Sequence, residues 1–333
     1  MTIAGRFLRF LACLIPLSIC SADAAALDAG RAEVRQFIGE MQQRHGFERA
    51  WLEELLGTAT SQPRIIELMQ RPAERVKPWH EYRDHFLTDE RVAAGVEFWT
   101  AHRASLAQVE SATGVDARVI VGIIGVETFF GRITGRFRVL DALATLAFDY
   151  PPRASYFRAE LEQFLLLARE DKVDVRAALG SYAGAMGAPQ FMPRSYRAYA
   201  VDGDGDGRRD LWNSWDDVIA SVANYLARHG WRAGEPVVVP AAPWFPRLDG
   251  LTPGSLATTE TVKSLRDRGL AFATPMGDAA PALYISVAGD AGPEYRAGFH
   301  NFSVITRYNR SVLYALVVHD LGERVAGQLP PAA

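Results

Sequence analysis

The stretch "VIVGIIGVETFFG", residues 119–131, holds one charged residue, Glu127, among apolar side chains and glycines. Burying a lone carboxylate costs free energy. If the stretch is a helix that Asp116 caps and Gly131 ends, Glu127 lies in its last turn on an apolar face. Four apolar residues share that face at spacings of three, four and seven: Ile120, Ile123, Ile124 and Phe130. The apolar face and the negative end of the helix dipole both predict a raised pKa for Glu127.

A carboxyl group that keeps its proton near neutral pH can act as a general acid. Cleavage of a glycosidic bond uses such an acid on the leaving oxygen. The alternative is a buried Glu127 that forms a structural ion pair, for which Arg132 and Arg136 are near in sequence. This stretch alone does not separate the two interpretations.

A second set of carboxylates lies in "DGDGDG", residues 202–207. Asp202, Asp204 and Asp206 follow the D-x-D-x-D-G start of an EF-hand loop, in which alternate carboxylates converge on one hard cation and Gly207 permits the turn. Arg208, at position seven, would offer its backbone carbonyl. Position twelve is Asn213, so the usual bidentate glutamate is missing. The alternative is a solvated acidic turn before a helix.

Helices are the elements that must position these residues. In "AEVRQFIGEMQQRHG" the apolar residues recur at helical spacing and Gly46 ends the pattern: Val34, Phe37, Ile38 and Met41. The same helical spacing of apolar residues continues over residues 28–108, where no alternation typical of a strand occurs. Residues 114–230 stay helical, with glycine, proline and aromatic residues at the joins, and "GSYAGAMGAPQFMPRSY" predicts a loop that leads into a helix.

From about residue 235 to residue 308 the pattern changes. "PVVVPA", "ALYISVAG" and "FSVITRYN" are β-rich and separated by proline and glycine, which predicts a small α+β insert. "SVLYALVVHDLGERVAG" then returns to a helix. The chain has 333 residues, of which 49% are hydrophobic and 23% charged, enough for one large domain or two to three subdomains. Its net charge of -3 gives no sign of a nucleic-acid binder.

The N-terminus has the pattern of a secretory signal. Arg6 and Arg9 precede the apolar run "FLACLIPLSIC", and Ala22-Asp23-Ala24 fits the small-x-small cleavage rule. The alternative is a buried N-terminal helix. No later window is long and apolar enough to be a transmembrane helix.

Two cysteines, Cys13 and Cys20, both lie in that segment. Lipid attachment at Cys20 is the alternative to cleavage, but Ile19 precedes it where lipoprotein signals usually carry a small residue. We therefore favour cleavage near Ala24. The mature chain would then have no cysteine. In an oxidising compartment its fold would be stabilised by the hydrophobic core and not by disulfides.

Several long motifs occur in a fixed order: "GIIGVETFFGRITGRFRVLDALATLAFDYPPRASYFRAELEQFLLLARE", "GSYAGAMGAPQFMPRSYRAYAVDGDGDGRRDLW", "ASVANYLARHGW" and "VITRYNRSVLYAL". Together they strongly resemble the membrane-bound lytic transglycosylase B family of bacterial cell walls, over most of the chain after about residue 30. The resemblance implies a mainly α (α+β) fold, with a lysozyme-like helical core, an N-terminal α domain and a small inserted β domain.

The resemblance also implies cleavage of the β-1,4 bond between N-acetylmuramic acid and N-acetylglucosamine in peptidoglycan, without water, to give a 1,6-anhydromuramic acid end. The glutamate of the family's G-x-E-T motif is the single catalytic acid/base, and Glu127 occupies that position. It would protonate the leaving oxygen and then take the proton of the muramic C6 hydroxyl, which attacks C1. The muramic N-acetyl group can stabilise the cation in place of a second carboxylate.

The resemblance assigns substrate contacts to further residues: Ser181, Met186, Gln190, Tyr225, Tyr308, Asn309 and Tyr314. Aromatic rings suit sugar faces, and Gln and Ser suit N-acetyl groups. For each tyrosine the alternative is core packing. The family usually has two arginines after the Tyr-Pro as a contact to the stem peptide. Here "YPPRA" keeps only Arg153, so peptide recognition is less secure.

In the family the acidic loop is longer and closes with a later aspartate. Counting from Asp202 favours Asp216 and counting back from "SVANY" favours Asp217, which we take. The predicted calcium ligands are five residues: Asp202, Asp204, Asp206, Arg208 and Asp217. Since the loop lies outside the cleft motifs, the ion would be structural, and no cofactor is expected for catalysis.

The chain is thus predicted to have five segments: a signal peptide 1–25, an N-terminal α domain 26–110, a lysozyme-like catalytic core 111–234 with the EF-hand-like loop, an inserted β domain 235–306, and a C-terminal helix 307–333 that returns to the core. We expect a periplasmic monomer that binds peptidoglycan glycan strands, with proteins of the cell-wall machinery as further partners and no nucleic acid.

Two other functions stay open. One is a hydrolytic muramidase that uses the same acid with water as the acceptor, and the other is a non-catalytic glycan- or calcium-binding scaffold. Glu127 with its intact neighbouring motifs argues against the scaffold.

Overall fold

The computed structural model describes residues 25–70, 77–244, 248, 251 and 254–330. The predicted cleavage motif, both cysteines and the rest of residues 1–24 lie outside the described residues. Within the part of the chain that is described, no helix has the length and apolarity needed to cross a membrane.

The N-terminal region is a set of short helices: α1 (Ala32–His45), α2 (Arg49–Gly57), α3 (Pro63–Gln70), α4 (Trp79–Phe86), α5 (Asp89–Ala101) and α6 (Arg103–Thr113). As predicted, α1 ends at Gly46, which has φ 65°. Its predicted apolar face is buried. One feature that the sequence did not indicate is a short antiparallel pairing of β1 (Ala25–Ala26) with β2 (Thr60–Ser61).

Helix α7 (Ala117–Thr128) carries Glu127 in its last turn. Asp116 caps it as predicted, because its side chain accepts a hydrogen bond from the Arg118 N–H at 2.8 Å. The predicted end at Gly131 is wrong, because the helix stops at Thr128. Phe129 and Phe130 follow with φ 52° and 55°, and their N–H groups donate to carbonyls in the last turn of α7. Two left-handed phenylalanines cost free energy, so tertiary contacts must hold this turn.

Helix α14 (Val312–Ala326) runs antiparallel to α7 with its backbone in close contact. A Cβ atom at Gly122 would lie 2.2 Å from the Val318 carbonyl oxygen, and one at Gly322 would lie 2.2 Å from the Arg118 carbonyl oxygen. These two glycines therefore set the distance between the helices. The packing brings the start of α14 to the end of α7 that carries Glu127.

Four more α-helices complete this region: α8 (Val139–Phe148), α9 (Ala154–Asp171), α10 (Pro193–Tyr199) and α11 (Trp215–Arg228). Helix α9 packs against α8 and α10, and α11 contacts α7. A 3-10 turn (Pro151–Arg153) joins α8 to α9, and β3 (Phe137–Arg138) pairs with β4 (Leu179–Gly180). Residues 181–192 form the predicted loop and lead into α10. They lie beside the end of α7, where the two are joined by hydrogen bonds.

The β-rich region forms one antiparallel sheet of β5 (Val238–Pro243), β6 (Glu260–Thr261), β7 (Leu270–Ala271), β8 (Pro281–Gly289) and β9 (Gly292–Gly298), in the order β6-β8-β9-β5-β7. Helix α12 (Val262–Asp267) packs on it. The sheet has its own small core: Val262, Leu265, Leu270, Ala282, Tyr284, Ala297 and Phe299. Strands at "PVVVPA" and "ALYISVAG" are confirmed.

The prediction that the third segment, "FSVITRYN", is β-rich is wrong. It forms most of α13 (His300–Tyr308). Its β-branched residues favour a strand by local propensity, but Phe302 and Ile305 lie at helical spacing and are buried in the main core. Packing therefore outweighs local propensity here. The predicted segment boundaries at residues 110, 234 and 306 stay predictions.

Candidate active site

Glu127 is half-buried at the end of α7, and its Oε1 accepts a hydrogen bond from the Tyr314 hydroxyl at 2.7 Å. Tyr314 is in the first turn of α14 and only 2% exposed. Burial and then the charge of Glu127 raise the pKa of Tyr314 well above its ordinary value. Tyr314 is therefore a neutral donor at physiological pH, and it fixes one oxygen of the carboxyl group. The raised pKa predicted for Glu127 stays a prediction.

A row of neighbouring rings extends away from Glu127, and we call Tyr314, Tyr308, Tyr225 and His229 the aromatic ladder. Tyr314 and Tyr308 are nearly parallel, with ring centroids 6.4 Å apart. Tyr308 and Tyr225 are 4.8 Å apart, and Tyr225 and His229 are 4.1 Å apart with an interplanar angle of 26°. The structure thus brings together Glu127 and the three tyrosines that the sequence predicted for the cleft.

The hydroxyl groups of the ladder tie separate elements together. The Tyr308 hydroxyl donates to the Pro189 carbonyl at 2.6 Å, and the Tyr225 hydroxyl donates to the Arg307 carbonyl at 2.7 Å. Burial raises the pKa of Tyr225 to about 12 and that of Tyr308 well above its usual range. Both are therefore neutral donors, and α11, α13 and the 181–192 loop are held as one wall. Asn309, half-buried, follows Tyr308 as the C-cap of α13.

The two polar residues predicted for the loop first stabilise the loop itself. Gln190, with φ 52°, donates from its side-chain amide to the carbonyls of Thr134 at 3.0 Å and Gly187 at 2.9 Å. The Ser181 hydroxyl oxygen accepts from the N–H groups of Ala183 and Ala185. Among the described residues, the Gln190 amide oxygen and the Ser181 hydroxyl hydrogen make no hydrogen bond, so both are available to a ligand.

Two predicted substrate contacts do not fit. Met186 is 0% exposed, so its side chain packs behind the loop and cannot touch a ligand in this conformation. Arg153 is exposed in the 3-10 turn, and its guanidinium stacks on the rings of Tyr156 at 4.7 Å and Phe157 at 5.0 Å. Within the described part of the chain, its contacts reach neither Glu127 nor the aromatic ladder.

Thr128 was missed by sequence reasoning. Its hydroxyl donates to the Ala188 carbonyl at 2.9 Å and accepts from the Gly131 N–H at 3.1 Å. This single buried side chain joins the end of α7 to the 181–192 loop. The signal was present, because a β-branched polar residue after Glu127 favours the end of a helix over its interior.

Arg91 was missed as well. It is 7% exposed, and its guanidinium lies 5.0 Å from the Phe86 ring and 4.6 Å from the Phe129 ring. Its Nε and Nη1 find no hydrogen-bond partner among the described residues, and burial lowers its pKa. Stacking between two rings stabilises the cation and holds Phe129, the left-handed residue that ends α7. The signal was an arginine on the apolar face of α5.

The arginines proposed as ion-pair partners of Glu127 lie elsewhere. Arg132 has its guanidinium 3.5 Å from Glu90 and 3.8 Å from Glu97, and it stacks on Phe129 at 4.8 Å. Arg136 is exposed on the loop after α7. Glu127 does accept a hydrogen bond from the Tyr314 phenol, a partner that suits a carboxyl group that must exchange a proton better than a permanent cation does.

In the acidic loop, carboxylate oxygens of Asp202, Asp204 and Asp217 lie within 4.8 Å of one another. Asp217 is 1% exposed and accepts from the N–H groups of Gly203 at 2.7 Å and Asp210 at 2.6 Å. Burial raises the pKa of Asp217. Three carboxylates at this spacing form a hard oxygen donor set, which fits a calcium ion.

The other candidates of the loop face different groups. The Asp216 carboxylate accepts from the Ser105 hydroxyl of α6, so the geometry favours Asp217 as the residue that closes the loop. The Asp206 carboxylate accepts from the Arg208 N–H at 2.8 Å and is not in the three-carboxylate group. Asn213 donates to Asp210 and does not face the group.

The comparisons with known proteins place the chain. The family model described as "Transglycosylase SLT domain" matches residues 29–323. The membrane-bound lytic murein transglycosylase B of Escherichia coli (strain K12) is 43% identical over 307 residues, which cover 90% of this chain and 84% of that protein. The chain therefore belongs to the transglycosylase SLT domain family.

Solved structures agree. The Escherichia coli lytic transglycosylase Slt35 in complex with calcium has a TM-score of 0.83 and 41% identity, over 91% of this chain and 96% of that chain. SltB3 from Pseudomonas aeruginosa in complex with NAG-anhNAM-pentapeptide has a TM-score of 0.78 and 30% identity, over 91% and 84% of the two chains. The predicted mainly helical, lysozyme-like fold is confirmed, and the protein is a lytic transglycosylase, an enzyme that acts on peptidoglycan.

Proposed function

We propose that this enzyme cleaves the β-1,4 bond between N-acetylmuramic acid and N-acetylglucosamine without water, and that Glu127 is its single acid/base. One observation supports this most directly. Glu127 ends an apolar helix, and one of its oxygens is held by a tyrosine that stays neutral. Such a carboxyl group is oriented before substrate binds, which is what a proton donor needs.

The reaction needs two proton transfers. In the first, the Glu127 carboxyl gives its proton to the glycosidic oxygen, the C1–O bond breaks, and N-acetylglucosamine leaves as an alcohol. In the second, the Glu127 carboxylate takes the proton of the muramic C6 hydroxyl while that oxygen bonds to C1. Glu127 ends protonated, as it began, and no water is consumed. Tyr314 would stabilise the carboxylate between the two steps.

The predicted cleft residues contain Glu127 as their one carboxylate, which suits a mechanism in which the substrate supplies the nucleophile. The muramic N-acetyl group would stabilise the cation at C1, as in the known exceptions to the two-carboxylate scheme. The complex of SltB3 with an anhydro sugar that carries a pentapeptide supports a product of this kind. Gln190 and Ser181, with their free oxygen and hydroxyl hydrogen, would bind the N-acetyl groups.

A calcium ion would be held by the carboxylates of Asp202, Asp204 and Asp217, with the Arg208 carbonyl and Asp206 as the further predicted ligands. Its role would be structural. Asp217 lies in the first turn of α11, and Tyr225 lies on the same helix, so an ion at the loop would fix the element that carries part of the cleft wall. The Slt35 structure in complex with calcium supports this assignment.

We place the enzyme in the periplasm, because the predicted signal would export it to the compartment that holds its substrate. A monomer, and binding to other proteins of the cell-wall machinery, stay predictions.

The experiment that tests the reaction is the mass of the product. Purified sacculi are digested with the enzyme, and the released muropeptides are measured by mass spectrometry. We expect 1,6-anhydromuramic ends. Ends that are one water heavier would show a hydrolytic muramidase instead, and the absence of any product would favour a binding scaffold.

A further inference from the structure

One face of α5 packs against the left-handed turn that follows Glu127. Arg91, Gly95 and Phe98 lie on this face at spacings of four and three, and all three are buried. Gly95 and Phe98 accommodate Phe130, because a Cβ atom at Gly95 would lie 3.0 Å from the ring of Phe130. The rings of Phe98 and Phe130 stack with their centroids 5.3 Å apart. One residue of the turn is therefore held by apolar packing.

Phe129, the other left-handed residue of the turn, is held by two cations. Its half-buried ring has its centroid 4.6 Å from the guanidinium carbon of Arg91 and 4.8 Å from that of Arg132. Arg132 is tied back to α5, because its guanidinium lies 3.5 Å from Glu90 and 3.8 Å from Glu97. Both cations on the Phe129 ring thus connect the turn to α5.

Arg91 costs free energy to bury. Its side chain is 7% exposed, its Nε and Nη1 have no hydrogen-bond partner, and its guanidinium forms no ion pair among the residues that the structure describes. Stacking on two rings offsets only part of the cost of burying an unpaired cation. An uncharged side chain of similar size would stabilise the fold as well or better. The presence of an arginine therefore indicates a role other than stability.

The turn that Arg91 contacts closes the helix at Glu127. The Phe129 N–H donates to the Gly125 carbonyl at 3.1 Å, and the Phe130 N–H donates to the Ile124 carbonyl at 3.4 Å. These bonds complete the last turn of α7, in which the carboxyl group lies. Phenylalanine rarely adopts a positive φ, so the turn would relax once its contacts are removed.

The second ring on the Arg91 guanidinium, Phe86, belongs to α4. Helix α4 packs against α14, the helix that carries Tyr314. Arg91 therefore lies between the turn that follows Glu127 and a helix that supports its hydrogen-bond donor.

We propose that Arg91 is a positioning residue of the reaction: it is stacked between Phe86 and Phe129, holds the left-handed turn, and through that turn holds the carboxyl group of Glu127. It serves activity and not stability. The proposal rests on the proposed function in so far as Glu127 is the acid/base.

Arg91→Met separates the two roles, because it keeps a long apolar side chain and removes the guanidinium. On soluble glycan strands we expect kcat to fall at least about tenfold with KM nearly unchanged, since displacing a catalytic group by roughly 1 Å can cost about a hundredfold. The melting temperature should stay the same or rise. Arg91→Lys keeps the charge without the flat group that spans two rings, so it should recover only part of the rate.

Arg169→Met is the matched control. Arg169 also stacks on a ring, that of Phe47 at 4.4 Å, but it is an exposed residue of α9 that donates to the His45 carbonyl at the end of α1. This variant should keep the parent kcat. Phe129→Leu removes the ring through which Arg91 acts, and in a double-mutant cycle with Arg91→Met the two losses of rate should not add.

An unchanged rate in Arg91→Met would overturn the proposal, and so would a melting temperature that falls in step with activity. A raised KM at unchanged kcat would make Arg91 a substrate contact instead. Additive losses in the cycle would show that it does not act through Phe129. Because the rate is measured whichever end the products carry, hydrolytic products would remove the proposed reaction and leave this test intact. Activity retained in Glu127→Gln is a separate result, which would remove the acid/base itself.

Discussion

The end of α7 and the acidic loop both concentrate negative charge, and they do so in opposite ways. At the end of α7 a single carboxyl group, Glu127, is held by the Tyr314 hydroxyl between two helices whose backbones touch at Gly122 and Gly322. In the acidic loop three carboxylates converge within 4.8 Å, two of them exposed. The position of Glu127 is therefore fixed without a ligand. In the acidic loop the three carboxylates repel one another, and a bound cation would remove that repulsion.

This difference predicts opposite responses. A change at Glu127 should remove activity and leave stability almost unchanged, because packing around α7 positions the group independently of its charge. A change at the acidic loop, or removal of its ion, should lower stability first and reduce activity only through the loss of folded protein.

The largest effect is expected for Glu127→Gln. Glutamine keeps the size of the side chain and an oxygen for the Tyr314 hydroxyl, but it cannot give and take a proton. General acid–base catalysis contributes about 10²–10⁴-fold, and here one residue serves both steps, so the loss of anhydromuropeptide release should reach the upper end or exceed it.

Melting temperature and product release are measured on the same preparation, with Glu40→Gln as the control. Glu40 is a half-buried residue of α1 that pairs with Arg44 on the same helix. If Glu127 were half of a structural ion pair, the variant would have a lower melting temperature. Its free energy of unfolding would fall by the roughly 3–5 kcal/mol that an unpaired buried charge costs. A variant that melts normally and still digests sacculi would exclude the catalytic role.

Calcium should have the next largest effect, on stability. An ion that binds only the native state stabilises it by about 2.7 kcal/mol at a concentration one hundred times its dissociation constant. Melting curves of the protein in EDTA and in millimolar calcium should therefore differ, with the higher melting temperature in calcium.

The matched control is the pair Asp202→Asn and Asp204→Asn, which keeps one side-chain oxygen on each residue as an acceptor for the backbone N–H groups of the loop and removes two of the three converging charges. We expect its melting temperature to be insensitive to calcium. An equal calcium shift in this variant, or no shift in the parent protein, would contradict a structural calcium site.

The close packing of α7 against α14, which positions Glu127, can be tested at Gly122. In Gly122→Ala the new Cβ would meet the Val318 carbonyl oxygen at 2.2 Å, so α7 and α14 must separate. Overpacking of this kind costs about 1–3 kcal/mol. We also expect lower activity in the fraction that stays folded, since the separation moves Glu127 away from Tyr314.

Gly39→Ala, in the middle of α1, is a matched control. A Cβ there would meet nothing within 4 Å, and alanine is the better helix former by roughly 0.5–1 kcal/mol, so this variant should be as stable as the parent or more so. If thermal melts show the two variants to be equally stable, the contact between α7 and α14 is not what fixes their distance.

The sequence predicted α7, its Asp116 cap and the position of Glu127 in the last turn, because these depend on local spacing and capping. The β-branched Thr128 was a local signal for the end of the helix, but the contact that fixes this end, from the Thr128 hydroxyl to the Ala188 carbonyl sixty residues away along the chain, could not be predicted. The prediction of a β-rich segment at "FSVITRYN" was wrong for the same kind of reason. Its local propensity favours a strand, and only burial of Phe302 and Ile305 in the main core makes it helical.

The site shows the same division. Glu127 was found from its position on an apolar helix, and the tyrosines were found from the family resemblance, since their residue types alone are equally typical of a core. The burial of Met186 and the stacking of Arg153 could not be read from their types, since both depend on neighbours distant in sequence. Arg91 is the clearest case, because a buried guanidinium between Phe86 and Phe129 is favourable only once α5 and the end of α7 have packed together.

The smallest effect, and the finest test of the comparison, is expected for Tyr314→Phe. The change removes one hydroxyl group from a ring that remains packed, so stability should fall by only about 1 kcal/mol. Activity should fall about tenfold, because Glu127 loses the group that orients it and stabilises its charged form. That loss of stabilisation favours the protonated carboxyl, so the falling limb of the pH–activity profile should move to higher pH. Tyr308→Phe is the control, since that hydroxyl donates to the Pro189 carbonyl and leaves Glu127 its hydrogen bond. A pH profile that moves equally in both variants would show that Tyr314 acts on Glu127 only through packing.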